Sequence, residues 1–319
     1  MKLVFMGTPE FARTVLEDLV NAGHEIVAVY TQPDKPKGRS SELIASPVKE
    51  YALSLNIPVY QPVKIKEEKE VELLRSFDAQ AFIVAAFGQF LSTEILNMPK
   101  YGCINVHGSL LPKYRGAAPI QRAIVNGEKE TGVTIMQMDK GMDSGDIISQ
   151  VKVSITRDDD ETTMYEKLAK EGGKLLVETL ENIDELSKNR RPQNPDEVSF
   201  APSMTKEEGL ISLEETALEM EHKVKGFSVW PVAYIPVSGK NLKIYDAHAI
   251  MAGDEEYETL SSDIKQMPKG CFAVTKKHLY LTTKEGLLEL LTVQPEGKKK
   301  MAATDYANGQ RLVNGMSIG

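Results

Sequence analysis

Cysteine is scarce in this chain. The two present in 319 residues, Cys103 and Cys271, lie far apart and each inside an apolar run. That excludes a disulfide framework and makes both read as buried thiols. The five histidines are scattered, with no pair at zinc-ligand spacing, so no metal is expected. No stretch reaches the roughly 18 apolar residues of a membrane helix. The apolar start, Leu3–Met6, is too short for a secretory h-region. The expectation is a cytoplasmic protein with no membrane partner. Positive charge is also in deficit: 38 Lys and Arg face 46 Asp and Glu, a net of −8. This excludes a surface coated in positive charge for long nucleic acids, but not a local basic stripe. The glycine patterns G-x-G-x-x-G and Walker A are missing, and a single Gly7 follows the first strand candidate, which argues against a nicotinamide enzyme. The one tryptophan, Trp230, stands between Val229 and Pro231 and reads as a core residue of the distal half.

What the chain does have is length for two domains at roughly 150 residues each. Its first half alternates strand and helix signals. Leu3–Met6, Ile26–Tyr30, Ala81–Phe87, Gly102–His107 and Gly132–Met138 read as strands. Helical spacing marks Phe11, Val15, Leu16 and Leu19, the run Ile120–Val125, and a long pattern from about Thr162 to Leu186. Apolar strands alternating with helices predict an α/β domain: a Rossmann-like, open and mostly parallel sheet. Residues 189–205 begin with a polar, proline-bearing stretch, Asn189 to Pro195, and read as a linker. Beyond it, one helical pattern near Glu214–Val224 precedes short strand-like runs at Val232–Val237, Leu242–Ala249, Cys271–Val274, Leu279–Thr282 and Leu287–Val293. These predict a smaller β barrel or sandwich. The expected domains are therefore 1–188 and 206–319.

The densest cluster of chemically capable residues is Asn105 to Pro119. Asn105 and His107 are two apart at the end of an apolar strand, so both side chains point the same way. They lie at the carboxyl end, where open α/β sheets bind ligands. An amide donor beside an imidazole can stabilise an oxyanion as a carbonyl becomes tetrahedral. A second cluster, Asp139 to Asp146, follows the strand Gly132–Met138. It sets Asp143 between Gly141 and Gly145. That carboxylate can take a proton or support an imidazolium, though the segment by itself reads first as an ordinary Asp/Gly turn. Lys35, Lys37 and Arg39 alternate with turn formers, and Lys298, Lys299 and Lys300 form a second basic cluster. Each is a candidate phosphate contact or a solvated turn.

The stretch His-Gly-Ser-Leu-Leu-Pro-Lys-Tyr-Arg-Gly-Ala-Ala-Pro at His107–Pro119 resembles the folate-dependent formyltransferase family, in the branch that acts on tRNA. So do Phe5–Ala12, Gln32–Arg39, Ser46–Lys49, Met138–Asp146 and Trp230-Pro231. The resemblance spans nearly the whole chain. It implies a Rossmann-like catalytic domain followed by a C-terminal β barrel of OB type. It also implies 10-formyltetrahydrofolate as donor, and the α-amino group of methionine on initiator tRNA as acceptor. Asn105, His107 and Asp143 match the family's catalytic trio. Ser109, Leu110, Leu111 and Pro112 match its tetrahydrofolate-binding segment, with Phe87, Gly88, Leu91 and Asp139 expected to border the folate. The loop at Asp34–Lys49 matches the one that enters the tRNA acceptor arm, giving Lys35, Lys37 and Arg39 as tRNA contacts together with Lys298–Lys300. A monomer is expected. The chain departs from the pattern where Ser40, Ser41 and Glu42 replace further basic residues. Its segment from Lys206 to Gly319 is also slightly acidic, with 14 Lys and Arg against 16 Asp and Glu.

Overall fold

The computed structural model describes residues 1–36 and 43–319. The chain packs as two compact units. The first holds Met1–Pro119, Glu130–Ser154 and Tyr165–Pro202; the second holds Ile120–Lys129, Ile155–Met164 and Ser203–Gly319. Among the described residues no helix is long and apolar enough to cross a membrane.

In chain order the first half comprises β1 (Lys2–Gly7), α1 (Glu10–Asn21), β2 (Glu25–Tyr30), β3 (Lys35–Pro36), β4 (Leu43–Ile44), α2 (Pro47–Ser54), β5 (Val59–Tyr60), α3 (Glu68–Ser76), β6 (Ala81–Ala85) and α4 (Thr93–Leu96). It continues with β7 (Cys103–His107), α5 (Pro119–Val125), β8 (Glu130–Gln137), β9 (Ile147–Ser154), α6 (Glu161–Glu181) and α7 (Ile183–Leu186). Seven strands form a sheet in the order β5-β2-β1-β6-β7-β8-β9. The first five run parallel, and β8 and β9 are antiparallel. The parallel strands are buried on both faces, which is why β1, β6 and β7 read as unbroken apolar runs. The expected Ala81–Phe87 strand stops at Ala85, because Ala86 has φ +46° and Gly88 φ +80°. The long pattern at 162–186 divides at Asn182 into α6 and α7. Strands β5 and β9 were not anticipated: one is two residues long and the other is polar on its exposed face.

Helix α6 approaches the sheet closely at Gly172. A Cβ there would stand 3.1 Å from a Val106 methyl and 3.2 Å from one of Val133. Pleat alternation thus turns Val106 toward α6 and puts Cys103 on the opposite face, in the core cluster with Phe82, Val84 and Phe87. Asn105 and His107 follow Cys103 at period two, on its face.

The second unit is built on α8 (Ala217–Gly226), which opens with a Thr216–Glu219 capping box. Then come β10 (Tyr234–Val237), β11 (Lys240–Ile250), α9 (Glu255–Thr259), α10 (Ser262–Lys265), β12 (Cys271–Val274), β13 (Leu279–Thr282), β14 (Leu287–Pro295), β15 (Met301–Ala302), α11 (Ala303–Gln310) and β16 (Met316–Ser317). Its sheet is antiparallel, ordered β10-β11-β14-β13-β12-β16, with β15 pairing on β14. The five strand-like runs read from the sequence correspond to β10 through β14. Trp230 corrects the expectation of a core residue: it is 52% exposed, and the apolar interior is filled instead by residues such as Phe272, Leu281 and Leu288. Cys103 and Cys271 are buried free thiols, and burial pushes the Cys103 thiol above its ordinary range.

Replacing Gly172 with leucine overfills the space between α6 and the sheet. It is expected to lower stability by about 1–3 kcal/mol, although leaving glycine raises helix propensity by up to about 1 kcal/mol. Urea denaturation checks this. A midpoint equal to or above that of the parent protein would show that α6 does not lie so close.

Candidate active site

Strand β7 ends at His107, and from there the chain leaves the sheet in a tightly held loop. Thr134, across from His107 on β8, organises that loop. Its hydroxyl donates to the Ser109 carbonyl at 2.6 Å and accepts from the Leu111 amide at 3.0 Å. The Gln150 side chain donates to both the Leu111 carbonyl and the Thr134 hydroxyl at 2.9 Å. The Ser109 hydroxyl donates to the Lys113 carbonyl at 2.7 Å. Leu111 is buried against Met136 and Ile147. Side chains of Ser109 and Leu111 are therefore spent inward, and Leu110 lies over Gly132 of β8.

The next turn carries Tyr114 at φ +61° and Gly116 at φ +124°. Residues 199–201 run alongside it. The Tyr114 amide donates to the Ser199 hydroxyl at 2.9 Å, Arg115 N–H to the Ser199 carbonyl at 2.9 Å, and Ala201 N–H to the Arg115 carbonyl at 2.7 Å. The stretch that composition marks as linker is thus ordered as part of the first unit. It contains a residue the sequence reading passed over, Gln193. The Gln193 side-chain NH2 donates to the carbonyls of Asp143 at 2.8 Å and Gly145 at 2.7 Å, while its Oε1 accepts from the Arg115 guanidinium at 2.9 and 2.7 Å. Its position in a polar, proline-bearing run gave no signal of this.

These contacts fix the Asp143 loop over the end of β7. Asp143 sits in the left-handed region at φ +49°. Its Oδ2 accepts the Gly116 amide at 2.8 Å and lies 3.7 Å from His107 Nδ1. His107 is 6% exposed, and its Nε2 is 3.0 Å from the Tyr114 carbonyl. A carbonyl only accepts, so Nε2 carries the proton. Nδ1 is then the ring atom left facing Asp143, at a separation too long for a direct hydrogen bond. Asn105 is 8% exposed, and its side-chain amide has no hydrogen-bond partner among the described residues. Asn105 shares the β7 face with His107, and the Asp143 carboxylate lies beside the imidazole. This is the donor, relay and acceptor set of acyl-group chemistry.

The remaining predicted site residues are distributed unevenly. Asp139 shapes the loop from within, its Oδ1 accepting from Gly141 N–H and Ser144 Oγ at 3.0 and 2.7 Å. Phe87 is buried in the sheet core and Leu91 packs against the same cluster. The exposed aromatic of that loop is Phe90, which the sequence reading did not single out. Gly88 is exposed. Lys35 is exposed on β3, opposite Ile44, while Lys37 and Arg39 lie outside the described residues. In the second unit Lys298, Lys299 and Lys300 are exposed, with Lys300 Nζ 3.4 Å from the Tyr245 ring centroid.

At Gly116 a Cβ would stand 2.7 Å from the Ala201 carbonyl oxygen, in a backbone region that L residues rarely enter. Gly116→Ala is expected to cost about 1–3 kcal/mol of stability, read by chemical denaturation. A substitution without effect would mean that the Gly116 turn is not constrained by residue 201.

The family model described as formyl transferase matches residues 1–180, and that of the formyl transferase C-terminal domain matches residues 203–311. Relatives named methionyl-tRNA formyltransferase include that of Agathobacter rectalis, 45% identical over 99% of this chain and 98% of its own. The one from Lachnospira eligens is 40% identical over the full length of both. Among solved structures, HypX from Aquifex aeolicus superposes on 97% of this chain and 47% of its own, with TM-score 0.64 and 17% identity. WlaRD, a sugar 3N-formyl transferase, covers 94% of this chain and 99% of its own at TM-score 0.63 and 20% identity. At such identities these two speak to fold alone. On the strength of both family models and of relatives alike from end to end, the chain belongs to the formyl transferase family.

Proposed function

We propose that this enzyme transfers the formyl group of 10-formyltetrahydrofolate to the α-amino group of methionyl initiator tRNA, giving N-formylmethionyl-tRNA for translation initiation. The observation that carries the reading is His107 Nδ1 facing the Asp143 carboxylate at 3.7 Å at the end of β7, with Asn105 on the same strand face. It occurs in a chain 40–45% identical along its length to relatives named methionyl-tRNA formyltransferase. HypX, of like fold, has been solved with tetrahydrofolic acid, which supports the folate as donor. With this reading goes a cytoplasmic monomer of two domains, a catalytic one to which 189–202 adds and an OB-like one over 206–319.

In the proposed reaction the methionyl amine attacks the formyl carbon. The carbonyl π pair moves onto oxygen, and the Asn105 amide donates to the oxyanion. His107 contributes through Nδ1, since Nε2 is already committed to the Tyr114 carbonyl. The gap between Nδ1 and Asp143 admits the amine proton, which passes to the carboxylate directly or through water. The oxyanion pair then re-forms the carbonyl, the carbon–N10 bond breaks, and the folate nitrogen takes the proton from Asp143, restoring its carboxylate. The folate lies along the backbone of Ser109–Pro112 and the loop of Phe87, Gly88 and Leu91, beside Asp139. The acceptor stem is held by Lys35, Lys37 and Arg39, with Lys298–Lys300 on the distal domain.

Asn105→Ala and His107→Ala are each expected to reduce kcat by about 100- to 1000-fold with an unchanged far-UV circular dichroism spectrum. The assay is formyl transfer from 10-formyltetrahydrofolate to Met-tRNA, with amino-sugar nucleotides as competing acceptors. Preference for a sugar acceptor, or normal turnover by folded His107→Ala, would overturn the reading. Arg39→Ala is expected to raise KM for charged tRNA with little change in kcat. It should also lower the dependence of binding on the logarithm of salt by about one phosphate contact; equal KM and equal salt slope would remove Arg39 from the interface.

A further inference from the structure

The second unit holds a cluster that formyl transfer does not use. Strands β13 and β14 pair with Tyr280 opposite Glu289, and cross-strand partners share a face of the sheet. His278 is two residues before Tyr280 and shares that face by the period of the strand. His278 Nδ1 and Glu289 Oε1 are 2.5 Å apart, and the imidazole stacks on the Tyr280 ring at 5.7 Å between centroids. Helix α9 contributes Glu256, whose Oε1 accepts the Tyr280 hydroxyl at 3.0 Å. One ligand-capable atom from each of Glu256, His278 and Glu289 lies within 4.8 Å of the others.

The charge here does not balance. Glu289 is 7% exposed, yet only one of its oxygens has a partner among the described residues, and that partner is His278. No lysine or arginine pairs with Glu256 or Glu289 among the described residues. His248, opposite Glu289 on β11, is taken by Glu221 instead. Two carboxylates, one nine-tenths buried, thus face a single imidazole, a costly arrangement unless a cation completes it.

We propose that Glu256, His278 and Glu289 form a binding site for a divalent transition-metal ion of the zinc class, with water completing the coordination. One imidazole nitrogen and two carboxylates suit such an ion better than calcium or magnesium, which take oxygen ligands almost alone. Tyr280, whose hydroxyl donates to Glu256 Oε1 at 3.0 Å, orients Glu256 from outside the coordination sphere. The bound ion ties α9 to the β13–β14 hairpin over the small cluster of Ile250, Ile264, Ala273, Tyr280 and Leu287. The role is structural and independent of the formyl site.

The test is titration of chelator-stripped full-length protein with zinc by calorimetry, and with cobalt(II) by visible absorption. One ion per chain is expected, with a rise in Tm on zinc addition. His278→Ala, Glu289→Gln and Glu256→Gln should each weaken binding by about tenfold or more and abolish the Tm rise. Glu256, on a short exposed helix, gives a variant that folds even if the two strand variants do not. Absence of stoichiometric binding, or binding that survives intact in folded Glu256→Gln, would overturn the proposal.

Discussion

The Asp143 carboxylate accepts a backbone amide from Gly116, and the rest of the site depends on that contact. The loops carrying Asp143 and Gly116 lie outside the main sheet, the second held by backbone bonds to residues 199–201, and both contain left-handed residues, which persist only where surroundings over-determine them. Here the surroundings do so twice. One Asp143 oxygen is fixed by Gly116 N–H, and the Asp143 carbonyl is fixed by Gln193. The orientation of the carboxylate toward His107 is therefore set by its backbone and its own second role as a hydrogen-bond acceptor. A reaction that moves a proton onto Asp143 then does so without reorganising the loop, which is what preorganisation means energetically.

The same logic separates spent from unspent polar groups. Thr134, Ser109, Gln150 and His107 Nε2 are each buried or half-buried and each has partners in the first unit. Burying a polar group without a partner costs about 1–3 kcal/mol. Against that background the Asn105 amide, on a residue 8% exposed and with no partner among the described residues, is available to a ligand that reaches the end of β7. Its strand gives it no freedom to turn away, since β7 pairs on both sides.

How much of this the sequence discloses follows from which interactions are local. The pairing of Asn105 with His107 is visible because a strand has period two, and Cys103, Ile104 and Val106 mark β7 as a buried strand. The parallel sheet is visible for the same reason. The resemblance supplies Asp143, whose loop by itself reads as a turn. Gln193 and Ser199 are illegible because their function is contact with residues roughly eighty positions away, and their own composition is that of a linker. Trp230 misleads because aromatic residues are inside more often than not, and nothing in Val229-Trp230-Pro231 marks the side chain as solvent-facing. The division at Asn182 is invisible to a pattern of apolar spacing that continues through it. Glu256, His278 and Glu289 escape motif reading because two strands and a helix bring them together, at spacings no metal signature contains.

Charge raises the last question, since a chain of net −8 is proposed to handle a polyanion. Net charge sets the field seen from afar, but at physiological ionic strength screening confines it to about 8 Å. Within that distance what counts is arrangement. Lys298, Lys299 and Lys300 are consecutive and exposed, and Lys300 is held over the Tyr245 ring, which lowers the entropy it would lose on meeting a phosphate. Some acidic side chains of the second unit are paired with basic ones, as in Glu215 with Lys223 and Glu214 with Lys269, which reduces the negative field around the lysine run. A few fixed cations acting at contact range imply an acceptor bound weakly at long range and selected at short range. The consequence is that association should be slower than for a basic tRNA-binding protein, while discrimination, which rests on contact geometry, is not diminished.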